Sequence, residues 1–140
     1  MEIKTINDWE KAVVFLLNLD GWDLQHCGTG NKSYDAFGKT PKGQSCILEM
    51  KFRKKYYEEK MLESDKYETL MALDKDIVKI FFVNDPKGNF MYWLDTLEMP
   101  KPVKKYCPDT SVYTKKRIHK DVYLLKENQA VRINIDISPN

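Results

Sequence analysis

Residues 47–53 read Ile-Leu-Glu-Met-Lys-Phe-Arg, an apolar, strand-like run that two charges interrupt. Side chains alternate between the two faces of a strand, so Glu49 and Lys51 project from the same face. Ile47 shares that face, and the even-numbered apolar residues form the opposite one. Because both faces are partly apolar, we expect Glu49 and Lys51 to lie in a cleft near the end of the strand.

A second carboxylate, Asp35, lies on the strand-like run that precedes this one. The runs 33–38 and 44–53 are joined by residues 39–43, Lys-Thr-Pro-Lys-Gly, whose Pro and Gly predict an antiparallel hairpin. In an even register, with residue 38 opposite 44 or 46, Asp35 shares the Glu49 face; an odd register places it on the other face. Two carboxylates at this separation can share one hard divalent cation, and a neighbouring ammonium can serve an attacking water.

The remaining patterns predict one mixed sheet flanked by helices. A first helix begins at Asn7, where Glu10 completes a capping-box pattern, and it ends at Gly21. The other predicted elements are a strand over 22–27, a helical turn or flap over 54–62, a helix over 65–74 capped by Ser64, a central crossover strand over 77–83, a returning strand over 90–94, irregular structure over 101–120, and late strands over 121–125 and 130–137.

Composition excludes several classes of protein. The 140 residues are the size of one domain, and 42% hydrophobic residues are enough for a core. A net charge of only +2 excludes a protein that coats polyanions over its whole surface. Three widely spaced cysteines argue against a disulfide scaffold and a zinc site. We find no apolar run of membrane-spanning length and no signal peptide, so we expect an intracellular, cytoplasmic protein without membrane contact.

The arrangement of Asp35 and Glu49-Met50-Lys51 across a hairpin resembles the PD-(D/E)xK nuclease superfamily. Asp35 matches the first acidic residue of that motif, and residues 49–51 match its E-x-K half. The order of elements over residues 7–95 is also that of the superfamily core. Tyr34 departs from the pattern, since it stands where a Pro often precedes the first acidic residue. Compact phage nucleases and Holliday junction resolvases are similar to this chain in size.

The resemblance implies a restriction-endonuclease-like α/β (α+β) core in a single nuclease-like domain over residues 1–140. The resemblance covers about residues 7–95, and the sequence pattern predicts a less regular, basic extension over residues 96–140. Asp35 and Glu49 would bind Mg²⁺ or Mn²⁺ together with the carbonyl of Met50, and Lys51 would complete the catalytic set. The superfamily often adds an acidic residue on the first helix and a polar one early on the helix after E-x-K. The accessory candidates are accordingly Glu10, Lys66 and Tyr67.

Each of these residues also has a plainer interpretation. Glu49 and Lys51 fit an ordinary ion pair on an exposed strand, and Asp35 then becomes a turn residue. Glu10 fits a helix-capping residue. Lys66 fits a solvated helix position, and Tyr67 fits a packing position. Neither His26 nor His119 has the setting of a catalytic triad.

Basic residues are concentrated in two segments. Residues 39–60 hold seven basic and three acidic side chains, and residues 101–120 hold seven against one. Such local excesses on a nearly neutral chain indicate one basic face that holds a phosphodiester backbone, although two solvated loops would give the same counts. The candidate nucleic-acid contacts are Lys39, Lys42, Arg53, Lys54, Lys55, Lys104, Lys105, Lys115 and Lys116.

Taken together, these patterns predict a Mg²⁺-dependent endonuclease that hydrolyses DNA, of phage or mobile-element type. DNA is the expected partner, and cutting two strands with so small a domain favours a homodimer. A nuclease-fold protein that binds nucleic acid or a protein without cutting is the main alternative. A plain interaction domain with a surface ion pair is a third hypothesis.

Overall fold

The computed structural model describes residues 5–28, 32–108 and 117–135. Lys115 and Lys116, two of the candidate nucleic-acid contacts, lie outside these ranges. The elements along the described chain are α1 (Ile6–Leu19), β1 (Asp23–His26), β2 (Ala36–Lys39), β3 (Ser45–Phe52), β4 (Glu59–Glu63), α2 (Ser64–Met71), β5 (Val78–Asp85), β6 (Gly88–Trp93), β7 (Val103–Pro108), β8 (Arg117–Lys126), a 3₁₀ turn (Glu127–Gln129) and β9 (Val131–Ile133).

Most of the described strands join one mixed sheet in the order β1-β2-β3-β5-β6-β9. Its neighbours are antiparallel except for β3 and β5, which run parallel. The chain reaches β5 from β3 by a crossover through β4 and α2, as parallel pairing requires. The predicted mixed sheet with flanking helices and the predicted crossover strand are therefore confirmed.

Each face of this sheet is covered by a different layer. Helix α1 buries Val13 and Leu17 against the face that carries Leu48 and Met50. On the other face, Leu70 of α2 belongs to a second apolar cluster, which also holds residues of β4 and β8. Because Glu49 alternates with Leu48 and Met50, its side chain belongs to this second face.

Helix α1 begins two residues earlier than the sequence predicts. Thr5 is the N-cap, and it forms a reciprocal capping box with Asp8 rather than Asn7 with Glu10. The prediction of Glu10 as a capping residue is therefore wrong, because the earlier Thr-Asp pair satisfies the free N–H groups. Helix α2 directly follows β4, so Glu63 occupies its N-cap position and Ser64 is already helical.

The C-terminal part contains more regular structure than predicted. Residues 103–108 and 117–126 form β7 and β8, where the sequence predicted irregular structure over most of 101–120. Residues 59–63 form β4 instead of a helical turn or flap, and the three strands make a second sheet in the order β4-β8-β7. The pairing of β4 with β8 joins segments about sixty residues apart, so a local pattern does not reveal it. No helix in the described ranges is long and apolar enough to cross a membrane.

The predicted hairpin is present, and its even register is confirmed. Gly38 lies opposite Cys46 and Ala36 opposite Leu48. Strand β2 begins at Ala36, however, and not at residue 33. The ladder stops there because the N–H of Met50 donates to the carboxylate of Asp35 and not to a backbone carbonyl.

Gly38 is required where β1 and β2 approach each other. Its φ is +154°, and a Cβ at this position would overlap the carbonyl oxygen of Asp23. We expect Gly38→Ala to lower the free energy of unfolding by about 2 kcal/mol or more, since the strands would have to separate. Gly43→Ala is the matched control, because Gly43 has a φ of +82° but open space around it. Urea unfolding of both variants measures the difference; equal losses would contradict the steric explanation.

Candidate active site

The site lies at the edge of β3 that β2 leaves uncovered. The carboxylate of Asp35 occupies this edge, where its Oδ2 accepts the N–H of Met50 at 2.8 Å. The N–H of Asp35 donates in turn to the carbonyl of Leu48 at 2.8 Å. The N–H and C=O of one strand residue point to the same edge, so the carbonyl of Met50 also faces Asp35.

Glu49 is a buried carboxylate, only 5% exposed. Lys66 of α2 places its Nζ 3.6 Å from Glu49 Oε2 and donates to the carbonyl of Ser33 at 3.2 Å. Burial, reinforced by the negative charge of Asp35, raises the pKa of Glu49 to about 7, against the opposing effect of Lys66 and Lys51. Glu49 is therefore partly protonated near neutral pH, and a cation placed beside it would favour the charged form.

Lys51 is exposed at the end of the same strand. Its positive charge lowers the pKa of both Glu49 and Glu10, so it lies within electrostatic range of both carboxylates. Lys51 and Lys66 line a small pocket of about 30 Å³ together with Arg53 and residues of β4. The predicted catalytic residues Asp35, Glu49 and Lys51 are thus gathered at one end of the sheet.

Glu10 reaches this end from α1, on the other side of the sheet. It is 9% exposed, and its Oε1 lies 2.7 Å from Nε2 of His26. Burial raises the pKa of Glu10, and the charge of Asp35 contributes in the same direction. Sequence analysis did not identify His26. The sequence does contain a sign that Glu10 needs a buried partner, because Glu10 falls on the buried stripe of α1 with Val13 and Leu17.

The two accessory candidates on α2, Lys66 and Tyr67, lie in different surroundings. Lys66 lies beside Glu49, whereas Tyr67 packs edge-on against Tyr123 with ring centroids 5.1 Å apart. Tyr67 belongs to the apolar cluster on that side of the sheet. The structure therefore brings Lys66 to the site and leaves Tyr67 in a packing position.

The candidate nucleic-acid residues are not all on one side of the site. Lys39 ends β2, four residues and about 13 Å beyond Asp35, and Lys42 lies in the following turn. Residues 53–55 instead follow β3 at the end where the carboxylates lie. On β7, Lys104 forms an exposed ion pair with Asp121 at 3.2 Å.

A large groove of about 1330 Å³ begins next to the small pocket, with which it shares Arg53 and Met61. Lys55 and Lys105 line it, but so do several carboxylates. At its wall the buried Lys60 donates to Asp85 at 2.5 Å and to Glu127 at 3.1 Å. The groove is therefore lined by charges of both signs, and Arg53 is the cation that it shares with the small pocket beside the site.

A hard divalent cation fits the donors at the β3 edge. The described residues contain no group of three or more His, Cys, Asp or Glu side chains that could hold a metal ion. Mg²⁺ needs fewer protein ligands, since it keeps several waters and commonly uses one or two carboxylates. Asp35, Glu49 and the carbonyl of Met50 supply oxygen ligands only. Burial and then the charge of Asp35 raise the pKa of Glu49, and a cation beside it would oppose both effects.

The raised pKa of Glu49 predicts a stability that falls with rising pH. Below about pH 4.5 the carboxyl is protonated in the folded and unfolded states, but between about pH 4.5 and 7 only the unfolded chain loses its proton. We therefore expect Glu49→Gln to be more stable than the wild type at pH 8, by up to about 3 kcal/mol, and equally stable near pH 4. Urea unfolding at several pH values tests this; a less stable variant at pH 8 would contradict it.

No protein-family model and no curated protein matches the sequence. Among solved structures, the chain is similar to Hjc, a Holliday junction resolvase from the archaeal hyperthermophile Archaeoglobus fulgidus, with 14% identity and a TM-score of 0.60. The similarity covers 89% of this chain and 88% of that one. The chain therefore has a restriction-endonuclease-like fold, with a mixed sheet flanked by two helices in the described ranges.

Proposed function

We propose that this protein is a Mg²⁺- or Mn²⁺-dependent endonuclease that hydrolyses DNA phosphodiester bonds. The observation that carries the proposal is the gathering of Asp35, Glu49 and Lys51 at the open edge of β3. The fold is similar to that of a protein described as a Holliday junction resolvase, which supports a role in DNA processing or recombination. Such an enzyme would act inside the cell, in the host cytoplasm if it is of phage origin.

Asp35, Glu49 and the carbonyl of Met50 would hold the cation. When bound, it would supply Lewis-acid polarisation of the scissile phosphate and lower the pKa of a water. A binding protein gains nothing from a buried carboxylate that faces phosphates. Keeping Glu49 in this position lowers stability near neutral pH, as its raised pKa indicates, and this favours a catalytic role over a structural one.

Lys51 would act on the attacking water and on the charge that develops at phosphorus. Its exposure leaves the ammonium accessible to substrate, and it lies within electrostatic range of Glu49 and Glu10. Lys66 would offset the charge of Glu49 from the α2 side. Glu10 would be an accessory carboxylate that acts on Lys51 from the α1 side.

DNA would approach along the basic residues nearest the site. Phosphate contacts by such residues hold a duplex without reading its sequence. Cutting both strands of a duplex or junction needs two such sites, so we propose a homodimer. The residues assigned to this interface are Arg53, Lys54, Lys55, Lys104 and Lys105.

Asp35→Asn should abolish cleavage and leave DNA binding intact or improved. The amide oxygen can still accept the N–H of Met50, so the change removes the charge and keeps the hairpin. Lys51→Ala should lower the single-turnover rate by on the order of 10²- to 10⁴-fold with little change in binding. Incubation with plasmid, linear and four-way-junction DNA, with and without Mg²⁺, measures both effects.

Thermal unfolding with added Mg²⁺ or Mn²⁺ provides an independent readout of the metal. Binding to the folded state should raise the melting temperature of the wild type, and Asp35→Asn should remove that shift. Cleavage that survives Asp35→Asn would place the metal elsewhere. A wild-type protein that binds DNA but cuts none of the substrates would instead support the alternative of a catalytically inactive nuclease fold.

Salt dependence separates the basic residues near the site from those at the far end of the hairpin. Changing residues 53–55 together to Gln should weaken binding to every DNA sequence and flatten the slope of log K against log salt by about 0.9 per lost phosphate contact. Lys39→Gln with Lys42→Gln is the control, because these residues lie beyond the other end of β2. An equal flattening in the control would contradict an interface confined to the carboxylate end.

A further inference from the structure

The histidine beside the site makes two hydrogen bonds that differ in kind. Nδ1 of His26 accepts the backbone N–H of Gly28 at 3.0 Å, and Nε2 lies 2.7 Å from Oε1 of Glu10. A ring nitrogen that accepts an N–H carries no proton, so the proton of the neutral ring must be on Nε2. The hydrogen-bond network therefore assigns one tautomer, in which Nε2–H donates to Glu10.

This contact is protected from water. The side chains of His26 and Glu10 are 10% and 12% exposed. His26 ends β1, whose pairing with β2 continues to Ala36, the residue after Asp35. The backbone N–H of Cys27 also donates to the carbonyl of Asp35 at 2.9 Å. The imidazole is thus anchored to the same backbone that carries Asp35.

The carboxylate of Glu10 lies within electrostatic range of two residues of the proposed catalytic set. The charges of Asp35 and Lys51 both act on its carboxyl group, in opposite directions. Thr5 and Asp8 cap helix α1, so Glu10 does not serve as a capping residue, and capping does not explain why it is buried. Because the carboxylate is buried, the hydrogen bond from His26 fixes its orientation.

We propose that His26 is a positioning residue: its Nε2–H orients the Glu10 carboxylate at the end of the sheet where Asp35 and Lys51 lie. The inference rests on the proposed nuclease function, and it concerns a residue outside the Asp-Glu-Lys set. The described hydrogen bonds of the His26 ring go to Glu10 and to the N–H of Gly28. His26 acts through Glu10, as outer residues do when they fix the orientation of a catalytic group.

Two substitutions of His26 each keep one of its two hydrogen bonds and remove the other. The amide N–H of Gln reaches the position of Nε2, so His26→Gln keeps the donor to Glu10. The amide oxygen of Asn replaces Nδ1, so His26→Asn keeps the acceptor for Gly28 but is too short to reach Glu10. We expect His26→Asn to lower the single-turnover cleavage rate by on the order of 10- to 100-fold, and His26→Gln to restore most of it.

A double-mutant cycle shows whether the effect passes through Glu10. Glu10→Gln alone should slow cleavage about as much as His26→Asn, and the double variant should be no slower than Glu10→Gln. Additive losses would overturn the proposal, since His26 would then act independently of Glu10. If His26→Asn were active and His26→Gln inactive, cleavage would depend on the Gly28 contact. That result would show a purely structural role and would overturn the proposal as well.

A carboxyl titration tests the contact without any cleavage assay. The hydrogen bond from His26 lowers the pKa of Glu10. The carboxyl carbon of Glu10, followed by ¹³C NMR, should therefore titrate at higher pH in His26→Asn than in the wild type or in His26→Gln. The same pKa in all three proteins would overturn the positioning of Glu10, whereas a wild type that cuts no DNA would overturn the proposed nuclease function whatever the titration shows.

Discussion

The hydrogen bond from the Met50 N–H to the Asp35 carboxylate determines where the site can form. It occupies the donor that a longer β2 would have used, so backbone pairing ends at the bond from the Asp35 N–H to the Leu48 carbonyl, and the edge of β3 stays open beyond it. A side chain in place of a backbone carbonyl costs the sheet little, because the N–H remains satisfied. It also leaves the second oxygen of Asp35 and the carbonyl of Met50 at one edge.

The buried carboxyl of Glu49 at that edge lowers the stability of the folded protein near neutral pH. Glu49 is buried next to another carboxylate, and the pKa of Glu49 rises to about 7 as a result. The protein could remove this cost with an apolar residue or with closer pairing to Lys66, whose Nζ remains 3.6 Å away. A buried carboxylate that lowers stability is typical of a functional site. At a purely structural position, a substitution that removed this charge would be tolerated.

Two layers on opposite faces of the sheet meet at the same edge. Helix α2 brings Lys66 from one side, and helix α1 brings Glu10 from the other. The crossover from β3 to β5 places α2 there, because parallel strands force the connection over one face of the sheet. The edge of β3 is consequently surrounded by Glu10 of α1, His26 of β1 and Lys66 of α2, in addition to the motif residues on β3 and Asp35.

Local patterns in the chain predicted the mixed sheet and the hairpin, and the motif resemblance grouped Asp35, Glu49 and Lys51, while the structure decided between the even and odd registers that the sequence allowed. The local patterns succeed because alternation along β3 and the short turn at residues 39–43 are properties of neighbouring residues. The second sheet, the contact of His26 with Glu10 and the separation of Lys66 from Tyr67 needed the tertiary structure. Each depends on which distant segments pack together. For the His26 contact the sequence shows only that Glu10 lies on the buried stripe of α1, and not which residue it meets.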